Sequence, residues 1–330
     1  MWLTLPLVLL YWGITAVRRL CYRFGLKEIV TLPVPVIIVG NLTVGGNGKT
    51  PVVVWLVKLL QSMNYNVGVI SRGYGGNNEG ELLVTALTDP KECGDEPKLI
   101  VNSTQCLLAV GRNRVKAAQL LIEQAKINNT PLDFIVSDDG LQHYRLGRAG
   151  EIVVIDGKRR FGNNYLLPMG PNREGQWRLN NSMMVINNGG DVLLNKECST
   201  ASYPNEELMT LKPLGFKRVI DNQSISENFQ NSEVVAMAGI GYPQRFFDTL
   251  NDLNIKVQAQ HAFADHQAYD EQTLKNLTNN QQWLLMTEKD AVKCVGFAQN
   301  NWCYLPVEAQ INQQATDVLK QKLEEIKHGI

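Results

Sequence analysis

Between Val39 and Pro51 the chain reads VGNLTVGGNGKTP, a glycine-rich turn closed by lysine and threonine. Such glycines let a loop fold its N–H groups around a phosphate, the lysine reaches the outer phosphates, and the threonine hydroxyl ligates magnesium. Gly45, Gly46, Asn47, Gly48, Lys49 and Thr50 are therefore the candidate phosphate cradle, with Thr50 also a candidate metal ligand. The match to the Walker A pattern G-x-x-x-x-G-K-[ST] fails at one position, because Thr43 stands where the first glycine belongs.

A nucleotide site of this kind also needs a carboxylate at the end of a neighbouring apolar strand, and LDFIVSDDG supplies Asp138 and Asp139. Two adjacent carboxylates repel unless a cation lies between them, so the pair reads as a magnesium site, with one aspartate on the metal, directly or through water, and the other positioning or activating. An N-K-x-D element for guanine is missing, since TEKD at Thr287 to Asp290 and NKEC at Asn195 to Cys198 both depart from it. Val44 also stands where a dimerising partition-type ATPase would carry lysine. What remains is ATP used by a kinase, which needs a group to receive the proton of an acceptor hydroxyl. SRGYGG (Ser71 to Gly76), CGDEPKL with Asp95, DDGLQHYRL with His143 and FADHQAYD with Asp265 and His266 are the loops that offer one. Asp95, ahead of Glu96 and Pro97, serves as readily as a helix N-cap. The basic run GKRRFG, Lys158 to Arg160, reads as solvated surface and receives no role.

The elements that must hold these residues alternate. VPVIIVG is a continuous apolar run suited to a buried parallel strand, and Pro51 falls in the first turn of the helix after it, where its missing N–H costs nothing. NVGVIS, CLLAVG, DFIVSDDG, EIVVID and MMVIN are further strands, with the helix RNRVKAAQLLIEQAK among them. The pattern predicts an α/β fold, a P-loop NTPase-like parallel sheet flanked by helices over residues 31–187. A polar join over 188–230 then leads to a second, smaller α/β lobe over 231–330, built from EVVAMAGIG, IKVQAQHAF, WLLMTEKD and WCYLPV.

The 330 residues are 44% hydrophobic and 19% charged with zero formal net charge, so no global field draws the protein onto nucleic acid and none is expected as a partner. The six cysteines form no C-x-x-C and no cysteine–histidine cluster, which fits a reducing compartment. The N-terminus stands apart: MWLTLPLVLLYWGITAV is seventeen residues without a charge, and Arg18, Arg19 and Arg23 follow at once. Over about 25 Å of helix it is short for a bilayer core. It reads as a membrane anchor over residues 1–30 that spans or lies in the interface, the alternative being a buried helix.

NLTVGGNGKTP, SRGYGG, GDEP, VGRNR, SDDGLQH, LLPMGPNREG, FADH and TEKDAVK together resemble the tetraacyldisaccharide 4'-kinase (lipid A 4'-kinase) family over nearly the whole chain. The missing first Walker glycine belongs to that family's own pattern. The resemblance implies transfer of the ATP γ-phosphoryl group, with Mg2+, to the 4'-hydroxyl of a tetraacyl glucosamine disaccharide 1-phosphate, giving lipid IVA. The reaction would run on the cytoplasmic face of the inner membrane, with the lipid and the membrane surface as partners and no protein partner indicated. It further implies Lys49 and Asp139 in catalysis, Asp95 as base with His266 tuning it, and Arg173 at the phosphates. Glu174 would stand at the metal beside Thr50 and Asp138, with Arg72, Tyr74 and Arg114 on the lipid headgroup. The family often has a second histidine after DH, where this chain has Gln267. Two rival classes are a P-loop kinase for a soluble metabolite and a non-catalytic nucleotide-dependent membrane switch.

Overall fold

The computed structural model describes residues 4–189, 203, 205–279 and 281–329. Cys198, the NKEC stretch and residues 190–202 and 204 of the expected join at 188–230 lie outside the described residues.

The chain opens with helix α1 (Leu5–Arg23), started by Pro6 in its first turn. It then alternates through β1 (Val36–Gly40), α2 (Lys49–Ser62), β2 (Val67–Ser71), β3 (Leu82–Val84), α3 (Pro90–Cys93) and α4 (Asp95–Thr104). Next come β4 (Leu107–Val110), α5 (Arg114–Ile127), β5 (Phe134–Asp138), β6 (Gly150–Asp156), β7 (Met184–Asn188), β8 (Glu206–Pro213) and β9 (Lys217–Arg218). The remainder is β10 (Val234–Ala238), α6 (Gln244–Asp252), β11 (Val257–Ala262), α7 (Glu271–Lys275), β12 (Trp283–Thr287), α8 (Glu288–Cys294), β13 (Trp302–Leu305), β14 (Val307–Ile311) and α9 (Gln313–His328).

Among the described residues one sheet runs β14-β8-β7-β6-β1-β5-β2-β4-β3 and a smaller one β11-β10-β12-β13-β9. The large sheet is parallel except at its two edges, β3 against β4 and β14 against β8. Strands β1, β2 and β5 are buried along their whole length, as their unbroken Val and Ile runs require when helices cover both faces. On one face α2 and α9 cover Ile37, Val69 and Phe134, and on the other α5 covers Ile38, Ile70 and Ile135.

Three expectations change. The stretch 231–330 is not one lobe, because β14 pairs with β8 in the large sheet and α9 packs its Leu319 and Leu323 into that sheet's core. The region 188–230 is not merely a join, since β8 extends the large sheet and β9 edges the small one. The N-terminal helix is not seen as a span: among the described residues no helix is long and apolar enough to cross a membrane. Its uncharged run ends at Val17, and arginines occupy the turns that follow. Nor is it buried, for Val8 is its one buried residue while Leu7, Leu10, Ile14 and Val17 stand out to solvent along one stripe.

Candidate active site

The glycine-rich loop joins β1 to α2, so the positive end of the α2 dipole faces it. Thr43 explains how the loop manages without its first glycine. Its hydroxyl accepts the Asn47 side-chain amide at 2.7 Å, and its carbonyl accepts the Asn41 amide at 2.7 Å. It also bridges to Asn172, and Val44 N–H donates to the Pro171 carbonyl at 2.9 Å, so the loop is braced from outside. Gly48 has φ +79°, and a Cβ there would lie 2.1 Å from the Asn188 amide nitrogen, which itself donates to the Asn47 carbonyl at 3.0 Å. Only glycine fits.

Lys49, 14% exposed at its side chain, lies 3.3 Å from Asn41 Oδ1 and 3.5 Å from Asp139 Oδ1. Arg173 reaches the same carboxylate at 3.2 and 3.3 Å. Burial alone would push the Asp139 carboxyl up, but Lys49 and Arg173 outweigh it and hold it below the ordinary aspartate range. Asp138, next door, is pushed up to about 6, first by burial and then by the charge of Glu96, with Lys49 opposing. Its Oδ2 accepts the Ser71 hydroxyl at 2.9 Å while its buried Oδ1 has no hydrogen-bond partner. A buried carboxylate oxygen without a donor fits a divalent cation.

Glu174 is engaged on one side only: its Oε1 takes the Tyr144 hydroxyl, while its buried Oε2 has no hydrogen-bond partner and lies 3.7 Å from Arg178 Nε. Among the described residues no group of three or more His, Cys, Asp or Glu side chains is arranged around a metal. Arg114 also departs from expectation, for it is buried, pushed down to about 10 by that burial, and donates to the carbonyls of Gly111 and Asp138. It braces the strand end that carries Asp138. The arginine of VGRNR that reaches solvent is Arg112, which lines a cavity of about 210 Å³ with Arg72, Tyr74 and Asn78.

The two sheets meet over this loop. Gly241, beyond β10, abuts Gly46, and Arg245 of α6 reaches Asp156 Oδ2 at 3.4 Å. Arg159, given no role from the sequence, donates to the Gly46 carbonyl at 3.1 Å, and its guanidinium also pairs with Asp156 at 3.1 Å. Farther along the seam, His266 Nδ1 lies 3.0 Å from Asp95 Oδ1 and its ring stacks edge-on against Tyr74 with centroids 4.8 Å apart. Asp95 is the first residue of α4, not its cap, which is Gly94 with φ +91°. A Cβ on Gly94 would lie 2.4 Å from the Tyr74 carbonyl oxygen, so the glycine lets the SRGYGG loop seat against Asp95. Burial would raise the Asp95 carboxyl, but the bond to His266 and the charge of Lys289 hold it down. Reciprocally, that bond raises His266 above the ordinary imidazole range, against burial and Lys289. His143 is pushed down to about 4 by burial and nearby arginines, and its neutral ring takes no part.

A parallel sheet, a phosphate loop at its β1–α2 turn and an acidic pair on the adjacent strand define a P-loop nucleotide-binding protein. The profile of the family described as Tetraacyldisaccharide-1-P 4'-kinase matches residues 1–324. A tetraacyldisaccharide 4'-kinase of Shewanella frigidimarina is 50% identical over all of this chain and 95% of its own length. One from Shewanella oneidensis is 47% identical over 98% of this chain and 92% of its own. A crystal structure of "apo" form LpxK from Aquifex aeolicus in complex with ATP superposes with a TM-score of 0.80 at 26% identity, over 97% of this chain and 98% of that one. The chain belongs to the tetraacyldisaccharide-1-P 4'-kinase family.

Proposed function

We propose that the chain binds ATP in the cradle Gly45–Thr50 and passes its γ-phosphoryl group to the 4'-hydroxyl of a tetraacyldisaccharide 1-phosphate held at a membrane surface. The observation that carries this reading is the 3.0 Å contact of His266 with Asp95 across the seam between the sheets. Phosphoryl transfer asks for positioning, neutralised charge and a receiver for one proton. Lys49 and Arg173 supply positive charge, gathered by Asp139. Thr50 and Asp138 would hold magnesium, which would supply further positive charge at the outer phosphates. As the 4'-oxygen bonds to the γ-phosphorus and the bond to the ADP oxygen breaks, His266 Nε2 takes the hydroxyl proton. Asp95 orients the ring through Nδ1 and stabilises the imidazolium that forms, which explains why the lowered carboxylate is the orienter and the raised imidazole the acceptor.

Arg72, Arg112 and Tyr74 suit the anionic headgroup, for they line the polar cavity next to Asp95. The apolar stripe of α1 would lie in the membrane interface on the cytoplasmic face. α1 is tied to the site, since the Tyr11 hydroxyl donates to the Arg173 carbonyl at 3.1 Å. Under it lies a cavity of about 790 Å³, lined by Leu20, Leu32, Val34 and Trp177 with Arg19 and Arg148, of a character suited to acyl chains.

The test is transfer of label from γ-labelled ATP and magnesium to the disaccharide 1-phosphate in detergent micelles. Labelled lipid is expected; ADP formed without it contradicts the reading. A second measurement concerns the anchor. Substituting Leu10, Ile14 and Val17 by serine, with Tyr11 kept, raises KM for the micellar lipid by about tenfold or more while KM for ATP stays put. Equal changes in both would rule out an interfacial role for α1.

A further inference from the structure

Lys289 is the least expected member of the site. The sequence offered TEKD as a failed guanine motif and as part of the family resemblance, with no role for its lysine, yet β12 ends and α8 begins so that Lys289 projects into the seam between the two sheets. Its Nζ lies 3.0 Å from Glu96 Oε1 on α4, 3.0 Å from Asp265 Oδ1, 3.3 Å from His266 Nε2 and 3.9 Å from Asp95 Oδ2. The side chain is 15% exposed. One ammonium thus contacts both members of the Asp95–His266 pair, the residue before His266 and the residue after Asp95.

An ammonium has three donors and no acceptor. At 3.3 Å from Nε2 it is compatible only with a lone pair on that nitrogen, which puts the ring proton on Nδ1, donating to Asp95 Oδ1. His266 needs such help, for it sits at φ +61°, a conformation a histidine rarely adopts, at the tip of the loop after β11. Resting on the kinase reading above, we propose that Lys289 is a positioning residue that fixes His266 in the Nδ1–H tautomer, keeps Nε2 unprotonated until the acceptor hydroxyl replaces the ammonium on its lone pair, and ties the Asp265–His266 loop to α4 through Glu96.

The charges facing the imidazole are Asp95 on α4, Asp265 on its own loop and Lys289 on α8, with the Tyr74 ring against one side and Lys293 acting on Asp95 from one turn further along α8. Lys289 opposes protonation of His266 where Asp95 and Asp265 favour it. Its own ammonium is secure, because Glu96, Asp95 and Asp265 more than offset burial and raise it above the ordinary lysine value. Removing that positive charge therefore raises the pH at which His266 gains its second proton.

The experiment is a 15N titration of histidine-labelled full-length protein in detergent, with the His266 signal identified among the four histidines by its loss in His266→Gln. In the parent, above the titration midpoint, Nδ1 carries the proton and Nε2 does not. In Lys289→Met the midpoint rises by about half a pH unit or more and the Nε2–H tautomer appears, while Lys289→Arg behaves as the parent. Turnover in Lys289→Met falls by about tenfold with KM for ATP unchanged. A parent ring protonated on Nε2 overturns the proposal without any variant, and so does a Lys289→Met protein whose tautomer and midpoint match the parent. These readouts need no turnover, so failure of the kinase reading appears separately, as absence of labelled lipid from the parent.

Discussion

His266→Ala loses about 10²- to 10⁴-fold in kcat while its affinity for ATP stays within about twofold. The size follows from the role. An alcohol that attacks phosphorus must shed its proton as the new bond forms, and His266 is an imidazole in the seam whose basicity is raised by its bond to Asp95. The selectivity follows from position: His266 enters from the loop after β11 and touches Asp95 and Tyr74, whereas the phosphate cradle is built from the β1–α2 turn. Steady-state transfer to lipid, with ATP binding followed by calorimetry, checks both halves. A variant that lost ATP affinity in step with kcat would make His266 a structural link between the sheets instead of a proton acceptor.

Lys49→Met lowers kcat/KM for ATP by about 10²- to 10³-fold. Lys49 is the first cation after the glycine loop, 14% exposed and held by Asn41 and Asp139. Its removal deletes a positive charge from the phosphates. It also removes the charge that opposes protonation of buried Asp138, so the carboxylate suited to magnesium becomes harder to ionise. The loss in Lys49→Met is therefore steeper at acidic than at alkaline pH, whereas a pure loss of phosphate contact would be the same across the range. Measuring kcat/KM for ATP in parent and variant at several pH values separates the two.

Much of this was legible before the structure. The strands around the cradle are short apolar runs bounded by turn residues, and each continuous Val/Ile run became a strand buried on both faces, because periodicity and burial are local signals. The cradle and the acidic pair were legible for the same reason, since their chemistry lies within a few residues. Long-range partners were not. Val307–Ile311 leaves β13 after a single residue, yet it crosses to the large sheet to pair with β8, and no local pattern records which sheet a strand will join. Arg112 and Arg114 could not be told apart by type. What separates them is Asn113, whose side chain caps α5 by accepting from Val115 and Lys116 N–H, so that Arg114 begins the helix facing inward and Arg112 stays outside. That Glu174 also meets Tyr144, thirty residues away in the segment after β5, was not legible, because only its contact with Arg178 is local. Lys289 was passed over because its meaning depends on Glu96, Asp265 and His266, which are remote from it in the chain. Arg159 was passed over because a short basic run looks the same on a surface as it does against a phosphate loop.

The central claim is that Asp95 sets the basicity of His266 for transfer to the lipid. Its most direct test is the pH dependence of kcat for labelled-lipid formation in the parent and in Asp95→Asn. His266 works unprotonated, so activity rises through its pKa, which the Asp95 carboxylate lifts above the ordinary imidazole value. The parent's acidic limb is therefore expected above about pH 6.5. In Asp95→Asn that lift is gone, so the limb moves to lower pH while the plateau falls. A limb that stays in place in Asp95→Asn, or one that disappears from the parent altogether, contradicts the account.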